Sequence, residues 1–283
     1  MGGDPYEFED SSGDGFRCSV GFNGFSASGV REFVSAGHCT TTVSGSVYIA
    51  TATAPYDNPA SDGCDFCTPI GTAVAGQGKF GTGFDYGLVG VPGVVTVGAL
   101  TGWGTDGTTN SDPTSAPAGL NATPQYVTGE SAAETGAVLC KSGSTSGWTC
   151  GIILDVDSSQ VVRDDGENPH TVNSILATTC VLSGDSGGGA VMGSTAVGIA
   201  SASNFPRGGD DGGICGNTGS GSDPNNYHHL SLFFPMMSAA GQMSVQGQLG
   251  SSWQIETGVH TPVLTFPAPD SRTITQVTST DFI

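Results

Sequence analysis

A serine set among glycines, Gly184-Asp185-Ser186-Gly187-Gly188, is where this chain could do chemistry. A serine hydroxyl is a weak nucleophile at neutral pH and needs a base within hydrogen-bond reach. The oxyanion formed on attack needs backbone N–H donors, which an open glycine turn presents, and Gly184 and Ser186 are the candidates. In a chain with 46 glycines the stretch is equally compatible with a plain Ser/Gly loop, so its partners decide the reading.

Two triad orders are available. Gly184-x-Ser186-x-Gly188 fits the nucleophile elbow of lipases and esterases, whose acid and histidine follow the serine; Asp210, Asp211, His228, His229 and His260 lie downstream. That fold needs amphipathic crossover helices between parallel strands, and apolar residues at helical spacing are nearly absent here. Upstream, Ser35-Ala36-Gly37-His38-Cys39 and Phe84-Asp85-Tyr86-Gly87-Leu88-Val89 supply the order His, Asp, Ser of chymotrypsin-like proteases. The small, apolar run before His38 would deliver the histidine at a strand end, beside a cysteine that can be tied down. Asp85 lies in an apolar run where an unpaired charge is costly, so it needs a partner such as an imidazole N–H. Ionised, Asp85 would fix the tautomer of His38 and stabilise the imidazolium that forms as Ser186 attacks.

The elements that must position these groups read as strands. Residues 19–22, 46–50, 94–97 and 151–154 are short, β-branched runs bounded by Gly, Asp, Asn or Ser, which predicts an all-β chain. At 283 residues it can form one large β domain or two small barrels sharing a cleft. A Gly/Thr/Ser/Pro-rich stretch over 104–118 is the natural connection, which predicts domains at 1–125 and 126–245 with an extension over 246–283. With Lys+Arg at 7 and Asp+Glu at 26, the net charge of −19 excludes nucleic acid and anionic membrane as partners. No apolar run is long enough to span a membrane, and the start lacks a signal-peptide pattern, as expected of a mature or trimmed form. Eight cysteines in a sparsely charged Gly/Ser/Thr/Val-rich chain predict disulfides and a secreted protein. The alternative, zinc on Cys64-Asp65-Phe66-Cys67, lacks a second close ligand pair. Asn121-Ala122-Thr123 is a glycosylation triplet of the kind common by chance.

Taken in order, residues 35–40, 85–89, Cys140-Lys141-Ser142-Gly143 through Trp148-Thr149-Cys150-Gly151, and 184–188 resemble the bacterial secreted chymotrypsin-like serine proteases of the streptogrisin and α-lytic type. The opening Met1-Gly2-Gly3-Asp4 is similar to the family's mature start, and the likeness runs with gaps to about Gly241. It implies two six-stranded antiparallel β-barrels with His38, Asp85 and Ser186 in the cleft between them, no cofactor or metal, polypeptide substrates, a monomer, and a pro-region assisting folding. It implies disulfides Cys18–Cys39, Cys140–Cys150 and Cys180–Cys215, with Cys64–Cys67 as the remaining pair. The chain is longer than typical members, with apparent insertions at 56–79, 105–129 and 206–226 that read as surface loops.

The resemblance also implies finer expectations. Lys141 is the predicted counterion of a buried Asp185, because an unpaired buried carboxylate is costly. The primary pocket would be built by Thr178, Thr179, Ser201, Ala202 and Ser203, with Ser201 hydrogen-bonded to Asp85. Thr178 and Thr179 bring no carboxylate, which argues against cleavage after Arg or Lys. Ser203 with nearby His228 or His229 keeps a glutamate-specific alternative open, but Ala200 stands where such relatives place a histidine and the net charge repels an acid. The expected activity is that of a serine endopeptidase acting after uncharged, small to medium apolar residues; an esterase and an inactive binding module of the same fold are the rivals. With few cations to pair 26 acids, protonation should relieve repulsion, so acid tolerance is expected, although salt tolerance or solubility would also explain the charge.

Overall fold

The computed structural model describes residues 1–49, 69–102, 124–164, 168–204, 230–238 and 243–258. In the first half, strands β1 (Pro5–Glu9), β2 (Gly15–Ser19), β3 (Phe22–Ser26) and β4 (Arg31–Ser35) precede a single helical turn, α1 (Gly37–Thr40). Strands β5 (Ser46–Ile49), β6 (Pro69–Gly81), β7 (Phe84–Gly90) and β8 (Ala99–Thr101) follow. The second half contains β9 (Pro124–Tyr126), β10 (Gly129–Glu130), β11 (Val138–Lys141), β12 (Thr149–Arg163), β13 (Pro169–Ala177), β14 (Gly189–Met192), β15 (Thr195–Ser203) and β16 (Ser231–Pro235). A short helix α2 (Val245–Leu249) and strand β17 (Trp253–Ile255) close the described chain.

Two curled antiparallel sheets face each other. The first has the order β17-β3-β4-β7-β6-β5-β1-β2. In the second, β15-β14-β11-β12-β13-β16 closes on itself because β16 also pairs with β15, giving a six-stranded barrel to which β10 adds in parallel. Between the sheets, Phe22, Val34 and Leu88 of the first share one apolar cluster with Val172, Ile199 and Phe234 of the second. Closure and this shared core place the ends of β4, β7 and β15 side by side, where the chemistry sits.

Two expectations change. Residues 69–79, read as part of a surface insertion, belong to β6, which pairs with β5 and β7. Its glycines mark close backbone approach: a Cβ on Gly71 would lie 1.7 Å from the Gly90 carbonyl oxygen. Residues 94–97 are not a strand; Val95 is 84% exposed, and among the described residues no strand pairs with this segment. Within the extension over 246–283, β17 adds to the edge of the first sheet at β3 and fully buries Trp253 in the shared cluster. The linker at 104–118, Asn121, Cys64, Cys67 and the tail from 259 lie outside the described residues.

Removing this anchor should be costly. Trp253→Ala is expected to destabilise the fold by about 3 to 5 kcal/mol, read as a lowered denaturant midpoint at constant m-value.

Candidate active site

His38 is the second residue of α1, three beyond the end of β4 after a buried alanine and Gly37, and Gly37 is required there because a Cβ would lie 2.0 Å from the Lys79 carbonyl oxygen. Asp85, the second residue of β7, is fully buried. Its carboxylate accepts the His38 backbone N–H at 2.8 Å, faces His38 Nδ1 at 3.0 and 3.2 Å, and accepts the Ser201 hydroxyl at 2.6 Å. Ser201 stands at a bulge in β15, so an acid of one barrel is held partly by the other. With Nδ1–H donating to the carboxylate, Nε2 is the lone-pair nitrogen, and the His38 side chain is 27% exposed.

The serine segment is tied to the histidine segment through backbone. Ser19 N–H donates to the Ser186 carbonyl at 2.8 Å, and Ser19 follows Cys18, which is disulfide-bonded to Cys39 beside His38. Gly187 adopts φ +83°, and a Cβ there would lie 1.9 Å from Ser35 Oγ. In the turn itself, Asp185, Gly187 and Gly188 N–H groups donate to Leu182, Ala200 and Asp185 carbonyls. Among the described residues the Gly184 and Ser186 N–H groups make no hydrogen bond, so two adjacent donors stay available beside the Ser186 hydroxyl. The Gly184 carbonyl is turned away and accepts from the hydroxyls of Ser19 and Ser144, at 2.7 and 2.8 Å. Sequence reasoning missed these two serines, and in so serine-rich a chain nothing local marks them.

Beneath the turn lies a buried ion pair. Lys141 Nζ is 3.1 Å from Asp185 Oδ2, and both side chains are fully buried. Asp185 also accepts N–H groups of Thr145, Ser146 and Leu182 and the Ser146 hydroxyl, while Lys141 donates to Ser146 Oγ and to the Gly147 carbonyl. Burial pushes the Lys141 ammonium below its ordinary value, and the Asp185 carboxylate opposes that shift. Cys140–Cys150 closes the loop that supplies these donors. Cys180 is disulfide-bonded, and Cys215 lies outside the described residues. Cys18, Cys39 and His38 approach within 4.8 Å, but the two sulfurs are joined to each other and offer no thiolate to a metal.

The residues expected around the primary pocket behave differently from one another. Thr179 is buried with its hydroxyl donating to the Leu139 carbonyl, and the Thr178 hydroxyl accepts the Ile152 N–H, so both are committed to the barrel. Ala202 and Ser203, half-buried at the end of β15, remain at the rim. Phe80, unremarked in the sequence, packs between His38 and His170, with ring centroids at 5.6 and 4.3 Å, and His170 Nε2 lies 3.0 Å from Asp164.

No family model matches the chain. It is 32% identical over 198 residues to Glutamyl endopeptidase 2 of Streptomyces griseus, covering 68% of this chain and 81% of that protein. The chain belongs to the bacterial chymotrypsin-like serine proteases. Thermobifida fusca Protease A superposes with a TM-score of 0.55 at 26% identity, over 91% of this chain and 98% of that one. Serine protease 1 of Rarobacter faecitabidus is 42% identical over 79 residues, and there the chain spans only 14% of the relative's length. The chain shares with these serine endopeptidases a fold of two curled β-sheets.

Two expected outcomes follow from the site's charges. Lys141→Met should cost about 3 to 5 kcal/mol in chemical denaturation, because it strands a buried carboxylate. Burial raises Glu7, Glu32 and Glu130 above their ordinary 4.5, so the folded state binds extra protons between 4.5 and those raised values. Stability from these groups therefore rises as pH falls from neutral, and the gain is complete below about 4.5. Asp164, lowered from 3.8 to about 2 first by the His170 hydrogen bond, acts oppositely: its contribution is present above 3.8 and is lost as pH falls through 2. Thermal melts should show a Tm that holds or rises from pH 7 to 4.5 and declines below 4; a steep fall already between 7 and 5 would contradict this assignment.

Proposed function

We propose that the chain is a secreted endopeptidase with Ser186 as nucleophile. In this reading His38 Nε2 takes the Ser186 Oγ proton as Oγ attacks the scissile carbonyl carbon, and the developing oxyanion is met by the Gly184 and Ser186 N–H groups. Imidazolium returns the proton to the departing amine, leaving an acyl-enzyme. Water, deprotonated by His38, then attacks the ester, and the proton goes back to Ser186 Oγ as the acid leaves. Asp85 keeps its charge throughout and orients the ring. The observation that carries the proposal is the full set of donors around Asp85, drawn from both barrels, next to a glycine turn with two uncommitted N–H groups.

The side chain before the scissile bond is proposed to be uncharged and of small to medium size. Support comes from the net charge of −19, which disfavours an acid, and from the absence of carboxylates at residues 177–181 and 200–203, which leaves nothing to hold a cation. Glutamate specificity stays as the second reading because of the 32% identity to a protein named glutamyl endopeptidase.

A fluorophosphonate should label the folded protein and casein should be degraded. Ser186→Ala should lose the label and lower kcat about a million-fold with stability unchanged. Activity should fall on the acid side as His38 protonates, since only the neutral ring accepts a proton. A folded, labelled protein that cleaves no peptide would contradict the peptidase reading and favour an esterase.

A further inference from the structure

The far end of the β12–β13 hairpin meets the histidine segment through a stack of rings that the proposed mechanism leaves unused. Alternate residues of a strand share a face. Val172 of β13 is fully buried in the cluster between the sheets, so His170, two residues earlier, is presented to the first sheet as well. There Gly81 has φ +83°, and a Cβ on it would lie 2.9 Å from His170 Nδ1, so the imidazole rests directly on the end of β6. The turn that follows is anchored by backbone: Gly83 N–H donates to the Thr171 carbonyl at 2.8 Å, and Asn173 N–H to the Gly83 carbonyl at 3.2 Å. Phe80, opposite Asp85 in the β6–β7 ladder, is half-buried with its ring between two imidazoles, its centroid 4.3 Å from that of His170 and 5.6 Å from that of His38. The His170 ring is itself held. Its Nε2 lies 3.0 Å from Asp164 Oδ2, and Asp164 accepts the Asn168 N–H at 2.8 Å and the Asn168 side-chain amide at 3.0 and 3.1 Å.

We infer that His170, oriented by Asp164, is a positioning residue for His38 and acts through Phe80. The inference rests on the reading of His38 as general base and Ser186 as nucleophile. Backbone hydrogen bonds already fasten β13 to the β6–β7 turn, so the imidazole of His170 is not needed to hold the two sheets together. His38 is anchored at Nδ1 by Asp85, but its side chain is 27% exposed and a turn toward water would carry Nε2 away from the serine. Phe80 closes that ring on one side, and His170 backs Phe80. Tilted and offset rings at these separations attract one another, and displacing a reacting group by about 1 Å costs up to about a hundredfold in rate.

Diisopropyl fluorophosphate separates this role from contact with substrate, because it reports the reactivity of Ser186 and carries no peptide to reach a subsite. His170→Ala should slow its labelling and lower kcat on a peptide substrate by the same factor, about tenfold, with KM and melting temperature held. His170→Phe, which keeps a ring against Phe80, should restore most of both rates. Asp164→Ala, which frees the imidazole, should lower both by a smaller factor. In a Phe80→Leu background His170→Ala should add nothing further, since the two side chains act in one line of contacts. An unchanged labelling rate in His170→Ala would overturn the inference, and a raised KM beside it would assign His170 to substrate contact instead. A lowered melting temperature without rescue by His170→Phe would overturn it too, the role then being structural. A native protein that is not labelled at all would bring down the nucleophile reading and this inference together, whereas a labelled native protein with an unaffected variant removes only the inference.

Discussion

A buried carboxylate organises the cleft. Asp85 has no exposure to water, and an ionised carboxylate in such a place is tolerated only when donors replace its hydration. Those donors are the backbone N–H and Nδ1 of His38 from the adjoining turn and the Ser201 hydroxyl from the opposite barrel. Separating the barrels would strip one donor away, so the geometry of the histidine and the docking of the two halves stabilise each other. The fully buried Lys141–Asp185 pair repeats the principle under the serine turn, where four further donors to Asp185 hold the loop whose Gly184 and Ser186 N–H groups stay free.

Glycine is used in this chain as a spacing device. At Gly37 a side chain would collide with the Lys79 carbonyl, where the histidine turn lies on β6, and at Gly187 with Ser35 Oγ, where the serine and histidine segments meet. This is also why composition misleads locally. The Gly-rich run in β6 reads as a loop, yet its glycines let it lie against β7 with backbones in close contact. Conversely, Val94-Val95-Thr96-Val97 has the residue types of a strand but no ladder partner, and β-propensity without a partner does not make a strand.

The tail past α2 shows how a late segment can become part of the first barrel. Trp253 reaches the shared apolar cluster because Gly24 of β3 offers no Cβ, leaving room for the indole against the strand. The extension over 246–283 is bounded by where the family resemblance ends; the burial of one aromatic residue carries the first barrel past that bound.

The candidate residues of the site were legible in the chain, because the flanks that local sterics ask of such groups are written beside them: glycines around Ser186, a small apolar approach to His38, an apolar run around Asp85. The sequence also determined the all-β class, since periodicity excludes amphipathic helices. The remainder follows from which strands come to lie side by side. Which serines satisfy the Gly184 carbonyl, and that Thr178 and Thr179 spend their hydroxyls on the barrel, depend on strand register across more than 20 residues of chain. A serine's identity carries no record of which strand will lie opposite it; only barrel closure assigns that neighbour, and with it the hydrogen bond made or withheld.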